Sequence, residues 1–419
     1  FVDKTAIAVK LMSQLTPALF SYAALDDNAG GLRAKKYDNL PAIWCFVSSS
    51  VFTIEIRKIN QKLNIKPPVM LQVPFDLDHW TKVAGEKYPN DLPKPYSDDP
   101  AQWIFHGHPC GSVIWDEKKK WTARGPLRND ATVLQVAVAR LLGYRWPAEL
   151  DSKMELSDES RFWIKKSEEL LSHADDDGIV CIPPVRGEAA AADRLLNLLA
   201  AAYGKEWDSN KLSTLLSESD HAGKSIETWL RDKFFIQHCK LFQHRPFIWH
   251  VWDGLRDGFS ALVNYHKLDK KLLESLIYTY LGDWIRTQKD AITHGIDGAE
   301  EKLAAAETLK KRLELILEGE QPYDIFVRWK PLDKQPIGWE PDINDGVRLN
   351  IRPFMTAQVL RFNKKPQLNI TWDKDRGKDV ESVPWYKLGP HYGGNEGDRI
   401  NDHHLSLEEK SKARREVIK

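Results

Sequence analysis

The chain has 419 residues, of which 42% are hydrophobic and 29% charged, enough for two or three domains with sizeable cores. Its 60 basic and 60 acidic residues cancel, which excludes a protein that binds nucleic acid through bulk positive charge. Any nucleic-acid surface must therefore be a local patch. The four cysteines form no Cys-x-x-Cys pair, and neither a membrane-spanning apolar run nor a signal peptide is visible, so we expect a cytoplasmic protein. Because the chain starts at Phe1 rather than Met, we also expect a piece of a longer protein.

The first predicted elements are a strand and a helix. Residues 40–47, LPAIWCFV, form an uninterrupted apolar run that we predict to be a strand. The serines at 48–50 then favour a helix start, since serine is a good N-cap residue. Apolar side chains recur along the following helix at three- and four-residue steps. These positions are Phe52, Ile56, Ile59 and Leu63.

Helices dominate the middle of the chain. The predicted helices cover 129–143, 155–173, 188–203, 225–241, 268–290 and 298–318. In the last of these, Lys310 and Lys311 are spaced to pair with Glu307. Residues 245–266 contain two aromatic-rich runs around an Asp-Gly centre, which predicts a hairpin.

After Gly319 the sequence becomes rich in Pro, Gly, Trp and charge, which predicts short strands and loops. The fold class is therefore α+β and helix-rich, with a mixed α/β first part. We expect three parts: 1–125, a helical connector at 126–320, and a strand and loop segment at 321–419.

Histidines and cysteines cluster twice. The first cluster comprises His106, His108 and Cys110, with His79 upstream, and the second comprises His238, Cys239, His244 and His250. Alternation on a strand would put the first three side chains on one face, within reach of a metal. The glycine and proline at 107 and 109 favour a turn instead, and neither cluster has ligand spacing typical of zinc. Satisfied loop histidines and core packing are the favoured interpretations, and no metal site is predicted.

No catalytic motif is recognisable. A metal-dependent nuclease needs an acidic residue followed by an acidic-x-Lys strand; Asp342 fits the first element, but the downstream Glu408-Glu409-Lys410 lies in a polar helical tail. The sequence has no Walker loop, no Ser-His-Asp spacing and no Gly-x-Gly turn after a strand. Its Pro-Pro pairs lack the flanking residues of an adenine-methylating site. We therefore predict no catalytic residue in this chain.

Basic and aromatic residues recur together. Lysines 118–120 precede Trp121, Arg245 precedes Trp249, and Trp372 precedes Lys374. Phosphates attract Lys and Arg, and base edges are read by Arg, Asn or Gln. Each cluster taken singly is more typical of a solvated charged face.

Several segments resemble large bacterial N6-adenine DNA methyltransferases of restriction-modification and phage-defence systems of the BREX and DISARM kind. The run AIWCFVSSSVFTIEIRKINQKLNIKPPVMLQVPFDLDHW is similar to their target-recognition segment, in which a helix is followed by a short strand before VPFDL-x-HW. LLGYRWP and RPFIWHVWDGLRDGFSALVNYH resemble segments that follow it, and DGVRLNIRPF and WDKDRGKD resemble the closing part. The glycine motif for the cofactor and the Asn-Pro-Pro-aromatic loop of that family do not occur here.

The resemblance implies sequence-specific recognition of double-stranded DNA, joined to an N-terminal methyltransferase domain that lies outside this chain. That domain would use S-adenosylmethionine, and no cofactor is expected in this chain. Candidate DNA-contacting residues, chosen by charge and predicted exposure, are Lys58, Lys62, Lys66, Lys119, Arg124, Arg256, Lys374, Arg376 and Lys378. The alternative is a protein-interaction module that docks other phage-defence subunits, and its sign would be a contiguous exposed apolar patch.

Overall fold

The computed structural model describes residues 5–12, 14–20, 25, 28–327, 330–361, 381–382, 386–387, 390, 395–397 and 405–417. These residues fall into two compact units. Unit 1 comprises the described residues within Phe1–Gly107, Gly111–Leu127 and Trp146–Lys166. Unit 2 comprises those within His108–Cys110, Arg128–Arg145 and Ser167–Lys419. The division into 1–125, 126–320 and 321–419 stays a prediction.

The secondary structure is mostly helical. The strands are β1 Ala6–Lys10, β2 Pro17–Phe20, β3 Ala29–Leu32, β4 Val113–Asp116, β5 Trp121–Arg124, β6 Ile179–Cys181, β7 Ile248–Trp252 and β8 Ser260–Asn264. The helices are α1 Leu40–Val47, α2 Ser50–Ile59, α3 Pro67–Met70, α4 Leu77–Lys87, α5 Thr132–Leu141, α6 Pro147–Leu150, α7 Asp158–Glu169, α8 Ala191–Tyr203, α9 Ser209–Glu218, α10 Ile226–Asp232, α11 Phe234–Leu241, α12 Lys270–Glu274, α13 Leu281–Thr293, α14 Ala299–Glu318, α15 Val347–Asn350, α16 Arg352–Thr356 and α17 Leu407–Val417. Short 3₁₀ turns and a π-helical segment, Ser275–Tyr280, connect some of them.

The strands of the described residues pair antiparallel in three small sheets. The sheet orders are β2–β1–β3, β4–β5 and β6–β8–β7. Small antiparallel sheets within a helical chain confirm the predicted helix-rich α+β class.

The apolar run at 40–47 is helix α1, so the prediction of a strand there is wrong. An uninterrupted apolar run fits a buried helix as well as a buried strand, and length alone did not separate them. Pro41 lies in the first turn, where its missing N–H costs no helical hydrogen bond. The short strand that the family resemblance implied before VPFDL is also absent, because helix α3 lies there.

Helix α2 confirms the helix predicted after the serines. The Ser49 side chain accepts a hydrogen bond from the backbone N–H of Phe52, 3.4 Å away, and caps the helix. Phe52 and Ile56 enter the core of unit 1, together with β1 and α1. Ile59 and Leu63 are exposed instead, because α2 ends at Ile59 and the chain turns there.

The hairpin predicted at 245–266 is confirmed as β7 and β8 of unit 2. The pairing runs from Ile248 with Asn264 to Trp252 with Ser260. The Trp249 ring is buried and stacks on Tyr265 with a centroid separation of 4.9 Å. The clustered aromatic residues of this segment therefore hold the core of unit 2 together.

The six predicted helical regions contain helices, although some are divided. Helix α5 ends just before Gly143, whose positive φ of 70° suits a helix C-terminal glycine. The predicted pairing of Lys310 and Lys311 with Glu307 is wrong. Lys310 pairs with Glu314 at 3.9 Å, and Glu307 pairs with Lys289 of α13 at 3.5 Å.

The segment after Gly319 is more helical than predicted. Its described residues contain α15, α16 and α17, while their β structure is limited to an isolated bridge between Leu360 and Val251. Short, Pro- and Gly-interrupted sequence predicted strands here, but Pro353 lies within the first turn of α16, where proline is tolerated. The WDKDRGKD stretch lies outside the described residues.

Among the described helices, none alone has the length and apolar character needed to cross a membrane. The helix pair Tyr37–Val47 and Ser50–Ile59, bent by 78°, meets the criterion of length and composition when the two are taken together. Phe46, Phe52 and Ile56 of this pair are buried in the core of unit 1.

Candidate nucleic-acid interface

One uneven distribution of charge in unit 1 is found in residues 56–75, which we call the basic segment. It contains Arg57, Lys58, Lys62 and Lys66 and no acidic residue over twenty positions. In a chain with zero net charge, such a stretch produces a local positive potential that attracts phosphate.

Hydrogen bonds fix the backbone of the basic segment between α2 and α3. The Arg57 guanidinium donates to the carbonyl of Lys62, and the Lys62 N–H donates to the Asn60 side chain at 2.9 Å. Further on, the Ile65 N–H donates to the carbonyl of Leu11 at 2.9 Å. The lysines of the segment therefore extend from an ordered turn that is tied to the sheet of unit 1.

Three predicted contact residues, Lys58, Lys62 and Lys66, lie within the basic segment and are exposed. The ammonium of Lys58 lies 2.6 Å from the carboxylate of Glu55, one turn earlier on α2. Both side chains of this pair are solvent-accessible, so the pair contributes little to stability and a phosphate can compete for the lysine. All three lysines are therefore exposed within nine residues of the chain.

Neutral side chains of the same segment were not among the predicted contact residues. Gln61, Asn64 and Gln72 are exposed, and amides of this kind form paired hydrogen bonds with adenine in the major groove. Leu63 and Leu71 are 65% and 78% exposed, and such apolar side chains can contact thymine methyl groups. The absence of acidic residues over 56–75 was the sequence signal that could have revealed them.

Lys119 and Arg124 lie on the β4–β5 hairpin of unit 1, and both are exposed. The Lys119 ammonium lies 3.9 Å from Asp116, and the adjacent Lys120 pairs with Glu117 at 2.7 Å. The Arg124 guanidinium lies 4.3 Å from the ring centroid of Phe162. Acidic or aromatic neighbours therefore contact three basic side chains of this hairpin.

Arg256 belongs to unit 2 and lies in the exposed loop between β7 and β8, as predicted. Its carbonyl accepts a hydrogen bond from the Arg231 guanidinium at 3.2 Å. The loop itself is fixed by Asp253, whose carboxylate accepts from the N–H groups of Leu255 and Phe259. Lys374, Arg376 and Lys378 lie outside the described residues.

The histidine and cysteine clusters serve packing and hydrogen bonding in the described structure. In unit 1 the His106 ring lies 3.3 Å from the carboxylate of Asp98. In unit 2 the Cys110 thiol donates to the carbonyl of Ala202, and burial raises the pKa of this thiol to about 12. Residues 106–110 form a loop rather than a strand. Among the described residues, no group of three or more His, Cys, Asp or Glu side chains could hold a metal ion.

An acid-rich cavity of about 510 Å³ in unit 2 lies around an Asp-Asp-Asp-Gly turn at 175–178. Asp175 accepts hydrogen bonds from backbone N–H groups of the turn and pairs with Arg194 at 2.9 Å. Asp177 accepts from the hydroxyl of Tyr280 at 2.8 Å. Burial, and next the neighbouring Asp175, raise the pKa of Asp177. The carboxylates of Asp175 and Asp177 already have partners, and those interactions stabilise the turn. We therefore interpret this acidic turn as structural rather than catalytic.

S-adenosylmethionine is the cofactor that the family resemblance implies for the methyltransferase. Nucleotide-like cofactors bind where a glycine-rich turn joins the carboxyl end of a parallel strand to a helix. The strand pairs of the described residues are antiparallel, and none is followed by such a turn. The described residues therefore contain no strand-to-helix turn of this kind.

Comparison with known proteins gives one indication of relationship. A scan against protein-family models finds no match. The chain is 31% identical over 87 residues to a curated protein, the adenine-specific methyltransferase PglX of Lacticaseibacillus casei (strain Zhang). The match covers 20% of this chain and 6% of that protein, so the chain spans only a small part of the relative's length. The similarity supports a distant relationship to an adenine-specific methyltransferase.

Proposed function

We propose that unit 1 recognises double-stranded DNA through the basic segment, as part of an S-adenosylmethionine-dependent N6-adenine DNA methyltransferase of bacterial phage defence. One observation carries this proposal: residues 56–75 hold four basic residues, three of them exposed lysines, and no acidic residue. The distant relationship to an adenine-specific methyltransferase supplies the reaction that recognition would serve. Methyl transfer itself would belong to sequence outside this chain.

The chemistry of adenine methylation explains why a separate recognition surface is useful. The N6 amino group takes part in base pairing, so the target adenine must leave the duplex before it can react. While that base is extruded, another part of the protein must hold the flanking duplex and read its sequence. Lysines supply the phosphate contacts for holding, and exposed amides supply hydrogen bonds to base edges for reading.

The basic segment has both kinds of side chain in a fixed order. Lys58, Lys62 and Lys66 alternate with the amides Gln61 and Asn64 within nine residues. Because hydrogen bonds already order the turn, less conformational entropy is lost when DNA binds than for a mobile loop. Electrostatic attraction and base reading would thus come from one ordered surface.

The experiment is a selection of duplexes. The purified full chain is mixed with a pool of short duplexes of random sequence, bound DNA is recovered, and the enriched sequences are compared with the starting pool. We expect one motif to be enriched, and the variant in which Lys58, Lys62 and Lys66 are all replaced by Ala to lose it. Recovery of DNA without a preferred sequence would contradict the recognition of a specific site.

A second candidate, docking of another defence subunit, has one observation in its favour. Ile54, Leu63 and Leu71 on and around the basic segment are 55%, 65% and 78% exposed. Exposed apolar side chains near one another in the sequence are also found at protein interfaces. Sensitivity to salt separates the two, because an apolar docking face responds little to salt whereas phosphate binding weakens steeply.

A further inference from the structure

Unit 1 contains a cavity with aromatic walls that lies outside the basic segment. Its volume is about 440 Å³, within the range of small-ligand pockets. The aromatic lining residues are Trp44, Tyr88, Tyr96 and Trp115. They come from α1, the end of α4, the following loop and β4, so only the fold brings these four rings together.

Three of the four rings, those of Trp44, Tyr88 and Trp115, are held relative to one another. The indole N–H of Trp44 donates to the hydroxyl of Tyr88 at 3.2 Å. The rings of Tyr88 and Trp115 meet edge to face, with centroids 5.4 Å apart and planes at 72°. Trp44 also packs against the core of unit 1. A flat ligand would therefore meet a preformed aromatic surface and would not have to order it.

The charges around the cavity favour an anion over a cation. Lys87 and Lys94 line it, and both are exposed. Glu117 is the acidic residue among the described lining residues, and its carboxylate already pairs with Lys120 at 2.7 Å. Burial, and next the neighbouring Tyr88, raise the pKa of Tyr96, so its hydroxyl keeps its proton and can donate to a ligand. A quaternary ammonium ion, the usual partner of aromatic cages, would be repelled by the two lysines.

We propose that this cavity binds a nucleobase linked to a phosphate, with the base against the aromatic rings and the phosphate near Lys87 and Lys94. Base–aromatic stacking works for every base because each has a π-face, and lysines are ordinary phosphate partners. Two sources share this chemistry: a free mononucleotide, and an unpaired nucleotide within a DNA strand. The proposal goes beyond duplex recognition, since contacts between the basic segment and paired DNA need no such pocket.

The first test uses deoxyadenosine monophosphate (dAMP) and the full chain, followed by tryptophan fluorescence and calorimetry. We expect saturable quenching with dAMP, weaker binding of deoxyadenosine, which lacks the phosphate, and no binding of deoxyribose 5-phosphate, which lacks the base. Lys94→Ala should weaken dAMP binding about tenfold, as for the loss of one hydrogen bond to a charged group, and should leave deoxyadenosine binding unchanged. Lys94 is exposed, so this variant should fold normally.

Matched controls separate the cavity from general surface effects. Trp115→Ala removes a cavity wall, while Trp103→Ala removes a tryptophan of unit 1 that is 76% exposed and does not line the cavity. Lys82→Ala is the control for Lys94→Ala, because Lys82 is exposed and does not line the cavity either. We expect only Trp115→Ala and Lys94→Ala to weaken binding.

A second arm distinguishes the two sources. A single-stranded oligonucleotide that competes with dAMP, and competes less when the base at one position is removed, would identify an unpaired nucleotide of DNA. An oligonucleotide that fails to compete would identify a free mononucleotide; both outcomes support the proposal.

The proposal would be overturned by absence of binding at millimolar dAMP, or by binding that Trp115→Ala and Lys94→Ala leave unchanged. Failure of duplex binding by the basic segment would leave these results unaffected.

Discussion

The ammonium of Lys410 lies 3.5 Å from the carboxylate of Asp324, and both side chains are fully buried in unit 2. Lys410 belongs to α17, and the same carboxylate accepts the N–H of Leu405 just before that helix. The buried guanidinium of Arg352 also interacts electrostatically with Asp324. One buried acidic residue therefore connects the terminal helix to the rest of the unit and compensates two cations.

Replacing Asp324 should destabilise unit 2 more than replacing Lys410. Asp324→Asn leaves two buried cations without their anion, and breaking such a pair costs about 3–5 kcal/mol. Lys410→Met leaves the carboxylate with Arg352 as a partner, so its loss should be smaller. Urea unfolding of the two variants measures this difference in free energy. An equal or larger loss for Lys410→Met would show that Arg352 does not compensate Asp324.

Acid should destabilise the protein through His238, whose ring is fully buried and neutral. Its Nε2 accepts from the backbone N–H of Ile248 at 3.1 Å and of Phe247 at 3.3 Å. The proton is therefore on Nδ1, which lies 3.3 Å from the amide oxygen of Gln135 and donates to it. Burial lowers the pKa of His238 to about 3, so the folded protein holds this side chain uncharged at neutral pH.

The sign of the pH effect follows from that lowered pKa. His238 takes up a proton near pH 6.5 in the unfolded chain but only near pH 3 in the folded chain. Its contribution to the free energy of unfolding is therefore complete above about pH 6.5 and decreases as the pH drops towards 3. The slope should be about 1.4 kcal/mol per pH unit for one proton. His238→Gln should flatten the profile between pH 6.5 and 4.5, measured by urea unfolding, whereas the control His79→Gln changes an exposed ring on α4 and should leave it unchanged. Equal slopes for His238→Gln and the parent chain would rule out this role.

Two exposed amides of the basic segment, Gln61 and Asn64, should affect sequence preference rather than overall affinity. Gln61→Ala and Asn64→Ala remove groups suited to base edges but no charge. Each variant should reduce discrimination between the preferred duplex and a scrambled one by about 1–3 kcal/mol while leaving the salt dependence unchanged. Fluorescence anisotropy with both duplexes gives the two affinities. Equal weakening on both duplexes would assign the amides to non-specific contact.

Sequence patterns predicted elements where one physical signal was dominant. The β7–β8 hairpin combines aromatic strands with an Asp-Gly turn, and α14 has a regular three- and four-residue apolar spacing, so both predictions are confirmed. Helix α1 was missed because its apolar run has no polar face to reveal the helical period. The partner of Glu307 was also missed, since Lys289 comes from a different helix and local spacing cannot reveal it.

Of the candidate sites, charge could reveal only the local part. Lys58, Lys62 and Lys66 lie within nine residues, and the structure places them on one exposed segment. The aromatic cavity could not be predicted, because Trp44 and Trp115 are seventy-one positions apart and become neighbours of one cavity only through folding. The contacts of basic side chains could not be predicted from sequence either, as the Phe162 ring beside Arg124 illustrates.

The salt dependence of duplex binding tests the central claim most directly. The logarithm of the association constant is measured against the logarithm of salt concentration for the full chain, for Lys58→Ala/Lys62→Ala/Lys66→Ala, and for the control Lys270→Ala/Lys271→Ala/Lys311→Ala. The control lysines are exposed on unit 2. Each lost phosphate contact lowers the slope by about 0.9, so the first variant should lose between two and three units and the control none. Equal slopes for all three proteins would contradict DNA recognition by the basic segment.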